Sequence, residues 1–251
     1  MKTMKIGFVF YGITYGPGGR TGSDRDFRHC WPNIVEMLLD PFWDLGFERE
    51  IYFSTYPFTD KGIEKEFYDL VKPRKVVFSE MEGSDPFTTK GNCFGAFEND
   101  ADLDLVCISR SDVHYSRKIA DSITVDCLDK FNFLFPEGDG WWQRAHFTCD
   151  NFYLFPFKMT PVVKEAIHDT YAWPRGKPLV DTHALMDKLA EYMPTNRMNI
   201  LSKTEEISDV NSFYTCCRSG LPEDGRGGHI HPEVKERFNY SDESCNRSRG
   251  K

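Results

Sequence analysis

Residues 5–11 read Lys5-Ile6-Gly7-Phe8-Val9-Phe10-Tyr11. After the lysine, every side chain in the run is apolar, aromatic or absent. A strand with one face in water would alternate, so this pattern predicts a strand buried on both faces, the kind found inside a parallel sheet. Gly12 to Arg28 then reads as a loop, with glycines at 12, 16, 18 and 19 and several charges. Beyond it, Pro32 to Leu45 places Ile34, Met37, Leu38 and Leu45 on one helical face, and Pro41 is expected to break or kink that helix.

The same succession continues along the chain. Glu50 to Thr55 and Lys75 to Ser79 read as strands. Between them lies a helix marked by Ile63, Phe67 and Leu70 and closed by Pro73. Leu103 to Ser109 is a fourth strand, and Asn132 to Phe135 and Phe152 to Phe157 are further ones. Pro161 to Tyr171 and Thr182 to Tyr192 read as helices, and Arg197 to Leu201 and Ser212 to Cys216 as short final strands. Alternating strands and helices predict one αβα domain with a mostly parallel central sheet covered on both faces. That domain spans 1–220, and 221–251 reads as a polar, flexible tail.

The 251 residues suit one large domain or two small ones, at roughly 100–200 residues each. Hydrophobic residues make up 40% and mean hydropathy is -0.51, the profile of a water-soluble globular chain. With 21 Phe, 11 Tyr and 5 Trp, extended disorder is not expected. A net charge of -8 disfavours a nucleic-acid or anionic-membrane surface, since both need clustered positive charge. No stretch approaches the ~18–20 apolar residues of a membrane span. The opening segment lacks a small-residue cleavage site, so a cytoplasmic protein is expected. Of the eight cysteines none form a Cys-x-x-Cys pair, and they read as buried, reduced thiols. The sequons at Asn239 and Asn246 then read as coincidence.

In parallel sheets, ligands bind at the carboxyl ends of the strands, which selects four segments. The loop after Tyr11 fits neither Gly-x-Gly-x-x-Gly nor the Gly-Lys-Ser/Thr phosphate loop. Its Arg20 and Arg25 still suit a diphosphate, because guanidinium matches phosphate oxygens in pairs; otherwise it is a surface loop. Arg110, Asp112 and His114 follow the fourth strand and, if the chain stays extended, project to one side. A carboxylate and an imidazole there suit Mn²⁺ or Mg²⁺ shared with diphosphate oxygens; the plainer reading is a salt bridge at a strand end. Trp141 and Trp142 lie among glycines just ahead of Asp150. They suit sugar stacking, with Asp150 accepting a proton from a hydroxyl, or else a hydrophobic corner with a capping Asp. Finally, His229 and His231, near Cys216-Cys217, lack a second chelating pair at zinc spacing. No Gly-x-Ser-x-Gly elbow supports a serine hydrolase.

The order of these parts resembles small GT-A-class glycosyltransferases, especially compact ones encoded by large DNA viruses of algae. The resemblance runs from about Lys5 to Arg218. It includes the opening strand and Arg-containing loop, Cys30 and Asn33, Ile51-Tyr52-Phe53-Ser54-Thr55 and Pro73-Arg74-Lys75-Val76-Val77. Asp104-Leu105-Val106 leading to Arg110-Ser111-Asp112, then Asp150 through Pro156 and Asn211-Ser212-Phe213-Tyr214 complete it. It implies a GT-A-like (Rossmann-like) fold and transfer of a sugar from a nucleotide-diphosphate donor to a glycan or small acceptor. Where such enzymes carry Asp-x-Asp, this chain has Ser109-Arg110-Ser111-Asp112-Val113-His114, similar to an Asp-x-His variant or to a form that keeps only the last Asp. The resemblance thus implies Asp112 and His114 as ligands of Mn²⁺ or Mg²⁺, while the departure from Asp-x-Asp leaves open a site in which Arg110 takes over part of the metal's charge. Gly12, Arg20 and Arg25 would border the nucleotide, Trp141 and Trp142 would stack on sugar, and Asp150 would be the base of an inverting reaction. A viral origin would place the protein in host cytoplasm. A nucleotidyltransferase that makes a sugar nucleotide and a non-catalytic glycan-binding module are the alternatives.

Overall fold

The computed structural model describes residues 3–18, 23–80, 86–134, 151–171, 185–201 and 214–216. The chain opens with β1 (Lys5–Tyr11), the hairpin β2 (Tyr15–Gly18) and β3 (Ser23–Asp26), and then α1 (Phe27–Ile34) and α2 (Asp40–Asp44). Next come β4 (Glu48–Thr55), α3 (Lys61–Val71), β5 (Lys75–Phe78), α4 (Pro86–Asn92), α5 (Phe94–Phe97), β6 (Leu105–Arg110) and β7 (Val113–Tyr115). They are followed by β8 (Phe131–Phe133), β9 (Phe152–Pro156), α6 (Thr160–Tyr171), α7 (Leu185–Tyr192), β10 (Met198–Ile200) and β11 (Tyr214–Cys216).

Seven strands form one sheet in the order β10-β8-β9-β6-β1-β4-β5. β1 pairs in parallel with β4 on one side and β6 on the other. β9 runs antiparallel to both its neighbours, and every other pairing is parallel. This is the αβα, mostly parallel class expected of a GT-A-like fold. On β1, Ile6, Phe8 and Phe10 join a core with Phe27, Trp31, Leu38, Phe42 and Phe67 from the helices after β1 and β4. Val9 and Tyr11 join the opposite core with Phe94, Phe97, Val163, Ile167 and Leu189 from α5, α6 and α7. Both faces of the central strand are thus covered, which accounts for its unbroken apolar run. No helix among the described residues is long and apolar enough to cross a membrane.

Local differences from the sequence reading have physical causes. The segment read as a loop contains the β2–β3 hairpin. Its strands, Tyr15-Gly-Pro-Gly and Ser-Asp-Arg-Asp, carry none of the β-branched alternation by which strands are recognised. The first helix begins at Phe27 rather than near Pro32, because Asp26 caps it by accepting from the Arg28 N–H at 3.0 Å. Its middle, Val35–Leu39, is a π turn, and the Asp40 N–H reaches back to the Val35 carbonyl. That shift in register falls just ahead of Pro41, whose ring would otherwise meet the carbonyl four residues back. The helix therefore continues through Asp44 instead of breaking.

Cys30, Cys93, Cys107 and Cys127 are all buried, as expected for structural thiols. Burial pushes the Cys93 and Cys107 thiols up, away from reactivity. Cys149, Cys217 and Cys245, like the 221–251 tail, lie outside the described residues.

The cap at Asp26 generates a stability prediction. Burial works against its charge, but Arg28 donates to both carboxylate oxygens, at 2.9 and 2.6 Å, and the balance holds the carboxyl below its ordinary 3.8. Asp26→Ala should lower unfolding free energy at neutral pH by about 1 kcal/mol, while Asp26→Asn keeps most of the cap. A folded value below the unfolded one gives stability that is present above 3.8 and lost as pH falls through the folded value. Urea titrations at neutral pH and near pH 2 should therefore show the wild type and Asp26→Ala converging at acid pH.

Candidate functional site

β1, β4 and β6 end together at Tyr11, Thr55 and Arg110, and the chain beyond each end is tied to its neighbours. The Gly12 N–H donates to the Ser54 carbonyl at 3.2 Å, and the Ser111 N–H donates to the Tyr11 carbonyl at 2.9 Å. The Thr14 N–H donates to the Thr55 hydroxyl oxygen at 3.2 Å. Gly12 has φ +118°, which a side chain strains to adopt, and a Cβ there would lie 3.3 Å from Ser111 Oγ. Glycine therefore lets the chain leave β1 close against the end of β6.

The hairpin then folds back over this edge. The Phe27 N–H donates to the Thr14 carbonyl at 2.9 Å, closing the hairpin's base. Arg25, opposite Gly16 in the hairpin, brings its Nε to 3.2 Å from Asp112 Oδ2. Arg110 donates from Nε to Asp112 Oδ1 at 2.7 Å and from Nη2 to Asp112 Oδ2 at 2.6 Å. Side-chain exposures are 10% for Arg25, 12% for Arg110 and 7% for Asp112. The result is a nearly buried carboxylate between two guanidinium groups. Paired, two-point hydrogen bonding of this kind is the strong form of an ion pair. Arg110 also reaches β9's approach, where its N–H donates to the Asn151 carbonyl at 3.2 Å.

Behind Asp112 the chain is held by α1. Asn33 donates from Nδ2 to the Tyr115 carbonyl at 2.9 Å, and its Oδ1 accepts from the Tyr115 N–H at 2.7 Å. One amide side chain thus takes the place of a neighbouring strand for β7, whose other edge pairs antiparallel with β11. The Tyr115 hydroxyl lies 2.6 Å from Ser109 Oγ. His114 Nε2 lies 3.1 Å from the His29 carbonyl oxygen of α1.

These contacts correct the extended reading of residues 110–114. The chain turns at Ser111-Asp112. Asp112 faces the arginines, and His114 faces the helix. Their groupings do not suit a shared Mn²⁺ or Mg²⁺: both Asp112 oxygens already accept from guanidinium, and a cation would have to displace it. Among the described residues no cluster of three or more His, Cys, Asp or Glu side chains gathers in a metal-binding arrangement.

Of the residues singled out in the sequence, Gly12, Arg25, Arg110 and Asp112 are brought together here, with His114 just behind. Arg20, Trp141, Trp142, Asp150, His229 and His231 lie outside the described residues. Sequence reasoning missed the hydroxyls of Thr14, Ser54 and Ser111, which are buried with no hydrogen-bond partner among the described residues. A buried polar group left unpaired costs free energy, so three of them along one edge suit a polar ligand. It also missed Asn33's clamp and the buried Lys90 of α4. No spacing marks these positions. Only their burial and convergence single them out.

No family model matches the sequence, and no curated protein matches it. Among solved structures it is similar to a putative nucleotide-diphospho-sugar transferase from Desulfovibrio desulfuricans, at 13% identity and a TM-score of 0.48, over 95% of this chain and 96% of that one. It is also similar to 4-diphosphocytidyl-2C-methyl-D-erythritol synthase from Anaerococcus prevotii, at 12% identity and a TM-score of 0.46, over 81% and 93%. Likeness at this level concerns the general arrangement of the chain and says nothing of its activity.

The clamp yields a measurable expectation. Asn33→Ala leaves the Tyr115 N–H and carbonyl buried without that partner and should cost about 2–3 kcal/mol. Gly12→Ala should cost about 1–2 kcal/mol through backbone strain alone. Chemical denaturation of each variant checks both values.

Proposed function

We propose that the chain is a nucleotide-sugar-dependent glycosyltransferase, moving a sugar from a nucleotide-diphosphate donor to the hydroxyl of a glycan or small acceptor. The observation that carries this reading is the convergence of Arg25 and Arg110 on Asp112 at the carboxyl ends of β1, β4 and β6. Ligands bind at that edge of an open α/β sheet, and guanidinium is suited to phosphate oxygens. Thr14, Ser54 and Ser111 add hydroxyls able both to donate and to accept.

In this reading Asp112 orients the two guanidiniums rather than holding a metal. The arginines face the diphosphate and oppose the negative charge that grows on it as the sugar leaves. Their positions are set by the carboxylate before the donor arrives, so little reorganisation is needed at the moment of reaction. Gly12 lets the nucleotide approach the end of β1. Asp150, next in sequence to the Arg110-bonded Asn151, is assigned as the base that takes the acceptor's proton if the reaction inverts. Trp141 and Trp142 are assigned to sugar stacking, and Arg20 to the donor phosphates alongside Arg25.

Thermal denaturation in the presence of UDP- and GDP-sugars, with Mn²⁺ or with EDTA, tests the proposal. A donor at a hundred times its Kd should stabilise the protein by about 2.7 kcal/mol. Stabilisation by one nucleotide class is expected, and EDTA should leave it in place. A shift abolished by EDTA would return Asp112 to a metal ligand. Arg25→Met should weaken nucleotide-sugar binding about 10- to 100-fold, the value of a charge-assisted contact, while sparing the free nucleoside. Pyrophosphate release from a nucleoside triphosphate and a sugar phosphate would instead identify a nucleotidyltransferase. Sugar binding with no response to any nucleotide would identify a glycan-binding module.

A further inference from the structure

α1 is tied to both partners of the Arg25–Asp112 pair. At its start, Arg25 directly precedes Asp26, whose carboxylate caps the helix by accepting from the Arg28 N–H at 3.0 Å. Near its end, the fully buried Asn33 holds the backbone of Tyr115, three residues beyond Asp112. Between these points the His29 carbonyl oxygen lies 3.1 Å from His114 Nε2. Arg25 Nε then closes the circuit, 3.2 Å from Asp112 Oδ2. The eight residues of α1 span about 12 Å, so the circuit is short and its longest side is a helix.

Asn33 is a costly residue for its position. Asparagine is a weak helix former, and a buried amide must find partners. Trp31 and Ile34 beside it are buried apolar side chains, so nothing in the helix itself calls for an amide there. What the amide provides is two hydrogen bonds to one residue, 2.9 Å to the Tyr115 carbonyl and 2.7 Å from the Tyr115 N–H. Contact at two points fixes the rotation of β7 against α1 as well as its distance, where a single bond would leave a pivot. Satisfied buried polar contacts rigidify what they join. β7 begins at Val113, next to Asp112, so its orientation sets where the carboxylate stands. β11 holds the other edge of β7, and α1 is the element that also carries, at its start, the strand of Arg25.

We infer that Asn33 is a positioning residue for this cluster. Through β7 it holds Asp112 within reach of Arg25, and so sets the two guanidiniums for the donor's diphosphate. That last step rests on the transferase reading above.

The test is Asn33→Ala, read in two ways. Magnetic-resonance relaxation of the arginine Nε–H groups reports how firmly each guanidinium is held. Order parameters of Arg25 and Arg110 should fall to the flexible range, below about 0.6, while Arg28, bound to Asp26 at the start of the same helix, keeps its value. Calorimetry should show affinity for UDP or GDP, whichever binds wild type, reduced about 3- to 30-fold, with affinity for the matching nucleoside within a factor of two. Unchanged order at Arg25, a loss shared equally by Arg28, or an unchanged diphosphate affinity would each overturn the inference and leave the transferase reading standing. If Asn33→Ala does not fold, Asn33→Ser takes its place, since it keeps a polar group too short to make both bonds. Smaller losses at Arg25 and Arg110 are then expected, and no loss overturns the inference. Wild-type protein that binds neither diphosphate would sink the transferase reading, and the binding role of Asn33 with it.

Discussion

Everything at the site depends on β1 lying between β4 and β6 with all three strands parallel. Parallel pairing forces the three carboxyl ends onto one edge. It also forces each connection to cross back over a face of the sheet, which supplies the helices that bury β1 on both sides. Once Phe8, Phe10, Val9 and Tyr11 are covered, the backbone groups beyond Tyr11 are the first at that end of the strand without a neighbouring strand. Gly12 and Ser111 satisfy theirs through the Ser54 and Tyr11 carbonyls. That stitching brings residues 12, 54 and 111 together although the chain separates them widely.

Asp112 is the electrostatic centre of the same edge. A carboxylate this buried is costly unless it is well paired, and here Arg110 meets it with two hydrogen bonds while Arg25 comes from the hairpin. The pairing acts in both directions. The arginines hold the carboxylate at the turn, and the carboxylate keeps two long, flexible side chains in one orientation. Asn33 contributes from behind, holding the backbone of β7 so that the turn at Ser111-Asp112 has a firm exit. The acidic overall balance of the chain does not prevent two arginines from meeting at one edge: net charge describes the whole chain, whereas the fold decides which charges come together.

The parts of the fold legible in the sequence were those with a strong period and a covered face. β1, β4 and β6 were readable because their apolar residues follow directly from burial; in α3 Phe67 is buried and Ile63 packs against the core, whereas Leu70 is exposed. The hairpin over residues 15–26 was not, since its glycines, proline and charges resemble any surface loop, and its pairing depends on closure by Phe27 and Thr14. The helix over residues 27–44 was mis-started because Pro32 looked like a beginning, whereas Asp26 supplies the cap and the π turn accommodates Pro41. α4 was missed altogether. Pro-Phe-Thr-Thr-Lys-Gly-Asn has little apolar periodicity, and its lysine reads as exposed until Tyr11 and Tyr153 are seen to enclose it.

By itself, the sequence determined that this chain buries a mostly parallel sheet between helices, and that its polar residues of interest follow the strand ends. Hydrophobic pattern reports burial, and burial on both faces of successive strands leaves few other architectures. Tertiary structure alone decided that β9 runs antiparallel, because an apolar strand reads the same in either direction. It alone decided that Asp112 meets two arginines while His114 turns to α1, because a single turn at Ser111-Asp112 separates neighbours that an extended chain would have kept together. And it alone placed Lys90 beside Tyr11 and Tyr153, because what a lysine contacts is set by residues far from it in the chain.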